Sequence, residues 1–167
     1  MINKPIFLIG MMGSGKSSLA KALSRELSIP LLDTDLEIEK QVGLTIAQMF
    51  SKHGEAFFRA KEQELINSLT TEPKIVACGG GLPCHHDLMQ KLLDKGIVVY
   101  LEAPVKVLFE RISTGKERPL LSGFDDFNWL FAERNAVYQQ AHYSVDARWT
   151  EQQVLSACLE LLSTNPS

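Results

Sequence analysis

Between the apolar tetrad Ile6–Ile9 and a stretch of helical period from Ser17 to Leu27 lies Gly10-Met11-Met12-Gly13-Ser14-Gly15-Lys16-Ser17. The octad satisfies G-x-x-x-x-G-K-[ST] in full, after a strand and before a helix, which is the context in which that pattern holds phosphate. Its glycines let the backbone curl so that successive N–H groups face phosphate oxygens, and the helix adds its positive N-terminal end. In such a loop Lys16 reaches the β- and γ-phosphates and the Ser17 hydroxyl ligates Mg²⁺. A glycine-rich turn that binds nothing has no need of strand, pattern and helix together. Switches, motors and small-molecule kinases share the cradle, so the rest of the chain must separate them. A guanine-specific switch calls for an Asn-Lys-x-Asp loop after a late strand, and the only Asn-Lys here, Asn3–Lys4, runs into Pro5-Ile6.

Short β-rich runs alternate with longer helical ones along the chain. Ile6–Ile9, Leu31–Leu32, Ile75–Ala77, Val98–Leu101 and Ser144–Val145 are the strand candidates. Helices are expected over 17–27, in a broken region 36–52, and over 55–69, 85–94, 105–112, 128–140 and 151–162. Phe58, Glu62, Leu65, Ile66 and Leu69 recur at the spacing of an amphipathic helix. Strands apolar on both faces, alternating with helices, predict an α/β fold with a parallel sheet covered on each side. Pro104 suits the first turn of a helix and Asp125–Asp126 its cap, while Gly115 to Gly123 has no period and reads as an exposed loop. At 167 residues, with no repeat or linker, the chain is expected to form one domain, 1–167.

With 17 Lys and Arg against 20 Asp and Glu, the net charge is -3, too acidic for a protein that coats nucleic acid or anionic lipid. A local basic pocket remains compatible with that average. No apolar run reaches the roughly 18–20 residues of a membrane span, and the apolar stretch after Lys4 lacks a signal-peptide cleavage pattern. A soluble protein without a membrane or nucleic-acid partner is expected. Cys78, Cys84 and Cys158 are odd in number, so a reducing cytoplasm is the simplest setting. Cys84-His85-His86 with Cys78 fits the spacing of no common structural zinc site, and a helix start there is the simpler reading.

The acceptor side of a transfer reaction has its own candidates. In Asp33-Thr34-Asp35 an extended backbone would send both carboxylates the same way, at the carboxyl end of a strand, where open α/β sheets bind ligands. One can hold Mg²⁺, directly or through water, and the other can take the proton of an attacking hydroxyl. The pair also suits helix capping, and both roles can coexist at Asp33. Arg59, beside Phe57 and Phe58 and three residues before Glu62, suits a fixed bidentate grip on a carboxylate, though an ordinary surface pair has the same spacing. Gly79-Gly80-Gly81 after a strand is costly in backbone entropy unless a ligand or the chain must approach closely, the alternative being a bare turn. Arg118 in the exposed loop can swing over phosphates, and Arg134 on a late helix can be a second carboxylate clamp.

Taken in order, GMMGSGKS, DTD, GEAFFRAKE, CGGG, ERPLL and ERNAVY resemble the shikimate kinase family from Ile6 to about Tyr143. The resemblance implies a nucleoside-monophosphate-kinase-like fold, a five-stranded parallel sheet in the order 2-3-1-4-5, with a lid at about 113–124 and a substrate-binding region at about 34–61. It implies ATP-dependent phosphorylation of the shikimate 3-hydroxyl, in the chorismate route to aromatic amino acids, by a monomer. Asp35 then resembles the group that binds the acceptor hydroxyls and serves as base. Arg59, Arg134 and the Gly80–Gly81 backbone resemble the shikimate contacts. Arg118 resembles the lid arginine on ATP, Arg111 a residue near the adenine, and Ser17 with Asp33 the magnesium side. Gly13, Ser14, Gly15, Lys16 and Ser18 complete the ATP cradle. The adenine-contacting glutamine of the family falls on Gln152 or its neighbour Gln153. The loop ends Lys16-Ser17-Ser18 where Ser-Thr is usual, and Cys78 stands where Thr or Ser often precedes the glycines. A gluconate kinase of the same fold and a non-catalytic ATP-binding regulator are the rival readings. The combined DTD, FR, GGG and RPLL set favours shikimate, and an acceptor base together with a lid cation speaks against a mere binding module.

Overall fold

Ile6–Ile9 (β1), Leu31–Asp33 (β2), Ile75–Ala77 (β3), Ile97–Glu102 (β4) and Tyr143–Asp146 (β5) pair in parallel in the order β2-β3-β1-β4-β5, the order that the resemblance implies. The computed structural model describes residues 2–114 and 123–164. β1 lies at the centre, where Ile6 pairs with Ile75 on one side and Ile97 on the other, and all four of its residues are buried. Covered on both faces, such a strand reads as a continuous apolar run. The helices are Lys16–Leu27 (α1), Thr34–Val42 (α2), Ile46–His53 (α3), Glu55–Ser68 (α4), Leu88–Lys95 (α5), Val105–Thr114 (α6), Phe124–Tyr138 (α7) and Glu151–Thr164 (α8), with a 3₁₀ turn at Leu82–Cys84.

The main core joins the sheet to Leu19 and Leu23 of α1, Leu92 of α5 and Cys158 of α8. A smaller cluster, Ile38, Met49, Phe58 and Leu65, ties α2 and α3 to α4. Fully burying each such side chain stabilises by about 1.5–3 kcal/mol, which holds α4 in one orientation beside the sheet. β1 runs toward a crevice between β3 and β4, the kind of switch point at which parallel sheets bind ligands.

Several expected elements differ in detail. The broken region 36–52 is two helices: Gly43, at φ 74°, ends α2, and a Thr45–Gln48 capping box opens α3. α2 begins at Thr34, so Asp33-Thr34-Asp35 is not an extended segment; Asp33 ends β2 and the other two open the helix. The helix expected from His85 starts at Leu88, because the chain first makes the 3₁₀ turn and then passes through left-handed backbone at His86 and Asp87. α7 starts at Phe124, which puts Asp125 and Asp126 inside its first turn, favourably placed for the helix dipole, instead of at its cap. The loop from Gly115 to Gly123 lies outside the described residues except for Gly123.

Candidate active site

The loop after β1 closes on itself before it meets any ligand. Lys16 Nζ donates to the carbonyl oxygens of Gly10 at 2.7 Å and Met11 at 2.9 Å, with Ser14 Oγ at 3.4 Å. Burial pushes its ammonium down to about 8, against the pull of Asp35, Cys78 and Asp33. Gly13 sits at φ 84°, and a Cβ there would stand 2.8 Å from the Leu108 carbonyl, so α6 packs on the loop only because that position is glycine. No side chain caps α1, whose N-cap is Gly15, and its first N–H groups stay available to an anion.

Beside the loop, Asp33 divides its two oxygens between two tasks. Oδ1 accepts from the backbone of Asp35 at 3.1 Å and Leu36 at 3.2 Å, capping α2, while Oδ2 accepts from Ser17 Oγ at 3.3 Å. A hydroxyl and a carboxylate oxygen side by side fit a magnesium ion that keeps waters and takes its remaining ligands from phosphates. Asp35, one helical step on, has a buried Oδ1 with no hydrogen-bond partner. Burial first and Asp33 second push its carboxyl up to about 6, while Lys16 and Arg59 pull the other way. Thr34, between the two carboxylates, is fully buried and its Oγ1 accepts from the Gly79 N–H at 2.9 Å, locking the glycine turn to α2, a role that sequence reasoning missed.

Arg59 and Glu62 are a buried pair on α4, not a surface one. Arg59 Nη1 donates to Glu62 Oε2 at 2.8 Å and Nε to Glu55 Oε1 at 3.1 Å. Glu62 is 0% exposed, and burial pushes its carboxyl up to about 7 in spite of Arg59. The three glycines after β3 make room for this group and for Arg134. A Cβ on Gly81 would meet Arg59 Nη2 at 2.6 Å and Arg134 Nη2 at 2.9 Å, and one on Gly79 would meet Asp35 Oδ1 at 2.5 Å. Close approach, not a bare turn, explains the run of glycines.

On the other side of the loop a cavity of about 380 Å³ opens between Gly13, Ser14, Gly15 and Ser18 on one wall and Ala147, Trp149 and Thr150 on another. Arg111 also lines it, pinned by the carbonyls of Gly13 at 3.3 Å and Ala147 at 2.7 Å. Gln152 is exposed in the first turn of α8 and is not part of this wall, and Gln153 Oε1 instead accepts from the Thr150 N–H at 3.0 Å. Trp149 is the wall residue that sequence reasoning missed; an aromatic two residues before the helical stretch from Glu151 was the available signal. Arg118 lies outside the described residues.

A phosphate loop, an unpartnered carboxylate and two guanidiniums around one glycine turn belong to many kinases, and the comparison with known families narrows them. The family model for shikimate kinase matches residues 12–163. The chain belongs to the shikimate kinase family. A shikimate kinase of Aquifex aeolicus is 38% identical over 162 residues, 96% of each chain. One of Bacteroides fragilis is 40% identical over 146 residues, covering 83% of this chain and 82% of its own. Among solved structures, a shikimate kinase from Acinetobacter baumannii in complex with shikimate superposes with a TM-score of 0.90 at 33% identity, over 98% of this chain and 94% of that one. A gluconokinase from Sinorhizobium meliloti, at 18% identity and a TM-score of 0.62, shares the fold alone. In this shikimate kinase family member Cys78 carries backbone structure: its N–H donates to the Leu8 carbonyl at 3.0 Å, and burial pushes its thiol far up. Among the described residues no helix is long and apolar enough to cross a membrane.

Proposed function

We propose that this chain transfers the γ-phosphoryl group of ATP to the 3-hydroxyl of shikimate, giving shikimate 3-phosphate and ADP. The observation that carries the reading is the buried, unpartnered Oδ1 of Asp35 on one side of a glycine turn whose other side holds the Arg59 and Arg134 guanidiniums. A small hydroxylated carboxylate suits that pair, anion toward the arginines and hydroxyl toward Asp35. The A. baumannii relative solved with shikimate supports the same choice.

In this reading Gly13, Ser14, Gly15 and Ser18 cradle the triphosphate and Lys16 bridges its β- and γ-phosphates. Ser17 and Asp33 hold Mg²⁺, which neutralises charge on the phosphate oxygens when bound. Arg59, Arg134 and the Gly80–Gly81 backbone fix the substrate carboxylate and ring. Asp35 takes the proton of the 3-hydroxyl as its oxygen attacks the γ-phosphorus in line, and the β–γ bridging bond breaks to release ADP. Arg111 and Trp149 flank the adenine in place of Gln152, and Arg118 neutralises charge on the transferring phosphoryl. Residues 1–167 then form one kinase domain, with the substrate-binding region at about 34–61 and the lid at about 113–124. All three cysteines are free thiols, which supports a reducing, cytoplasmic setting.

A coupled ADP-release assay with ATP, Mg²⁺ and a panel of shikimate, quinate and gluconate tests this. Shikimate-dependent ADP is expected. Turnover on gluconate instead, or on nothing, overturns the reading in favour of a related kinase or a non-catalytic nucleotide binder.

A further inference from the structure

The glycine turn that separates Asp35 from the arginines has a gap in its own hydrogen bonding. The Leu82 N–H donates to the Gly79 carbonyl at 3.1 Å, and the Cys84 N–H donates to the Gly81 carbonyl at 3.0 Å. The residue between them is Pro83, which has no N–H, so the same i+3 pattern leaves the Gly80 carbonyl without a backbone donor. That carbonyl is half-buried in the site, where a partner from elsewhere in the chain can satisfy it. Tyr138 supplies it: its hydroxyl donates to the Gly80 oxygen at 2.5 Å.

Everything around Tyr138 keeps the hydroxyl there. The side chain is 0% exposed at the last residue of α7. Its ring lies 5.2 Å from that of Tyr100, whose own hydroxyl is 3.3 Å from Asn135 Oδ1. Met11 Sδ of the phosphate loop is 3.7 Å from the phenol oxygen. Arg134, one turn earlier on the same helix, brings its guanidinium to the same glycine: a Cβ on Gly80 would stand 3.2 Å from Arg134 Nη1 and 3.8 Å from the phenol oxygen. Burial pushes the phenol's ionisation far above the usual range, and the donor is always present.

A trans peptide points its N–H opposite to its C=O. Holding the Gly80 carbonyl against Tyr138 therefore aims the Gly81 N–H the other way. We propose that Tyr138 is a positioning residue for the acceptor half of the site, which sets the direction of the Gly80–Gly81 peptide because Pro83 has removed the turn's own donor. The inference rests on the proposed shikimate kinase reading. It adds a residue that acts through the glycine turn.

Two variants test it. Tyr138→Phe removes only the hydroxyl and is expected to raise KM for shikimate about tenfold, the effect of one buried hydrogen bond, with KM for ATP within about twofold of wild type. Pro83→Ala restores an N–H three residues after Gly80, so the double variant P83A/Y138F is expected to recover much of the lost affinity. The ¹³C shift of the Gly80 carbonyl should move in Y138F and return in the double variant, with or without substrate. An unchanged KM for shikimate in Y138F, an equal rise in both KM values, or a double variant no better than Y138F overturns the positioning role while wild-type turnover stands. Wild type without shikimate turnover overturns the functional reading and this inference with it.

Discussion

Arg59 Nη1 lies 2.8 Å from Glu62 Oε2, and the second oxygen of that carboxylate, Oε1, is buried with no partner. The carboxylate fixes the guanidinium yet also neutralises it, so it competes with any anion that Arg59 is meant to hold. Burial raises Glu62 from 4.5 to about 7. A substrate carboxylate should raise it further and draw in a proton on binding. Affinity for shikimate is therefore expected to strengthen as pH falls from 8 to about 6.5, by roughly fourfold for a one-unit coupling. Calorimetry at pH 7 in two buffers of different ionisation enthalpy should report proton uptake in wild type and little in Glu62→Gln. Uptake of equal size in the variant would place the linkage elsewhere.

The same group sets a stability slope. Its folded value is raised, so between 4.5 and about 7 the folded chain binds the proton that the unfolded chain gives up. Its contribution is then greatest at low pH and is lost as pH rises through that window. Relative to wild type, E62Q is expected to gain on the order of 2–3 kcal/mol between pH 5 and pH 8. Urea midpoints at the two pH values check this, and parallel slopes for the two proteins would refute it.

Asp35 acts as base only when ionised, and its carboxyl is held at about 6. Turnover per free enzyme, kcat/KM for shikimate, should accordingly fall as pH drops through about 6. Asp35→Asn keeps the shape and removes the proton acceptor, with an expected loss of roughly 10²–10⁴-fold in kcat. Near-normal turnover in the variant would leave the hydroxyl proton to another group.

Much of this site was legible because its parts are local. The phosphate loop follows a strand whose four residues are apolar without interruption, and Arg59 and Glu62 are neighbours on one helix face. What was not legible depends on residues far apart in the chain. The Thr34 bond to Gly79 spans 45 residues and the Tyr138 bond to Gly80 spans 58, and no period or motif encodes either. Other misses came from local ambiguity. Asp33 caps a helix that starts one residue later, so alternation along an extended strand could not apply to Asp35. In α7 the consecutive Trp129, Leu130 and Phe131 blur the helical period, and Asp125–Asp126 mimic a cap.

Gly81 offers a test that separates space from backbone freedom. Its φ of −84° suits any residue, so what it supplies is the missing Cβ. An added methyl would stand 2.6 and 2.7 Å from the Arg59 guanidinium nitrogens and 2.9 Å from Arg134 Nη2. Gly81→Ala is expected to displace both arginines and raise KM for shikimate about tenfold or more, leaving KM for ATP and the fold nearly unchanged. Equal effects on both substrates would mean that the turn serves the phosphate loop instead.

Trp149 and Trp129 are the two tryptophans of the chain, and only Trp149 lines the cavity beside Gly13, Ser18 and Arg111. It is 48% exposed, so a nucleobase that enters the cavity should cover its ring and change its emission. ADP is expected to alter the fluorescence of wild type and of Trp129→Phe, and not that of Trp149→Phe. Stacking of a base on an aromatic side chain is worth about 1–3 kcal/mol, so Trp149→Ala should weaken nucleotide binding by roughly 5- to 150-fold with little change in KM for shikimate. A nucleotide signal that survives in W149F, or W149A with wild-type affinity for ADP, would remove Trp149 from the adenine wall and return that place to Arg111 alone.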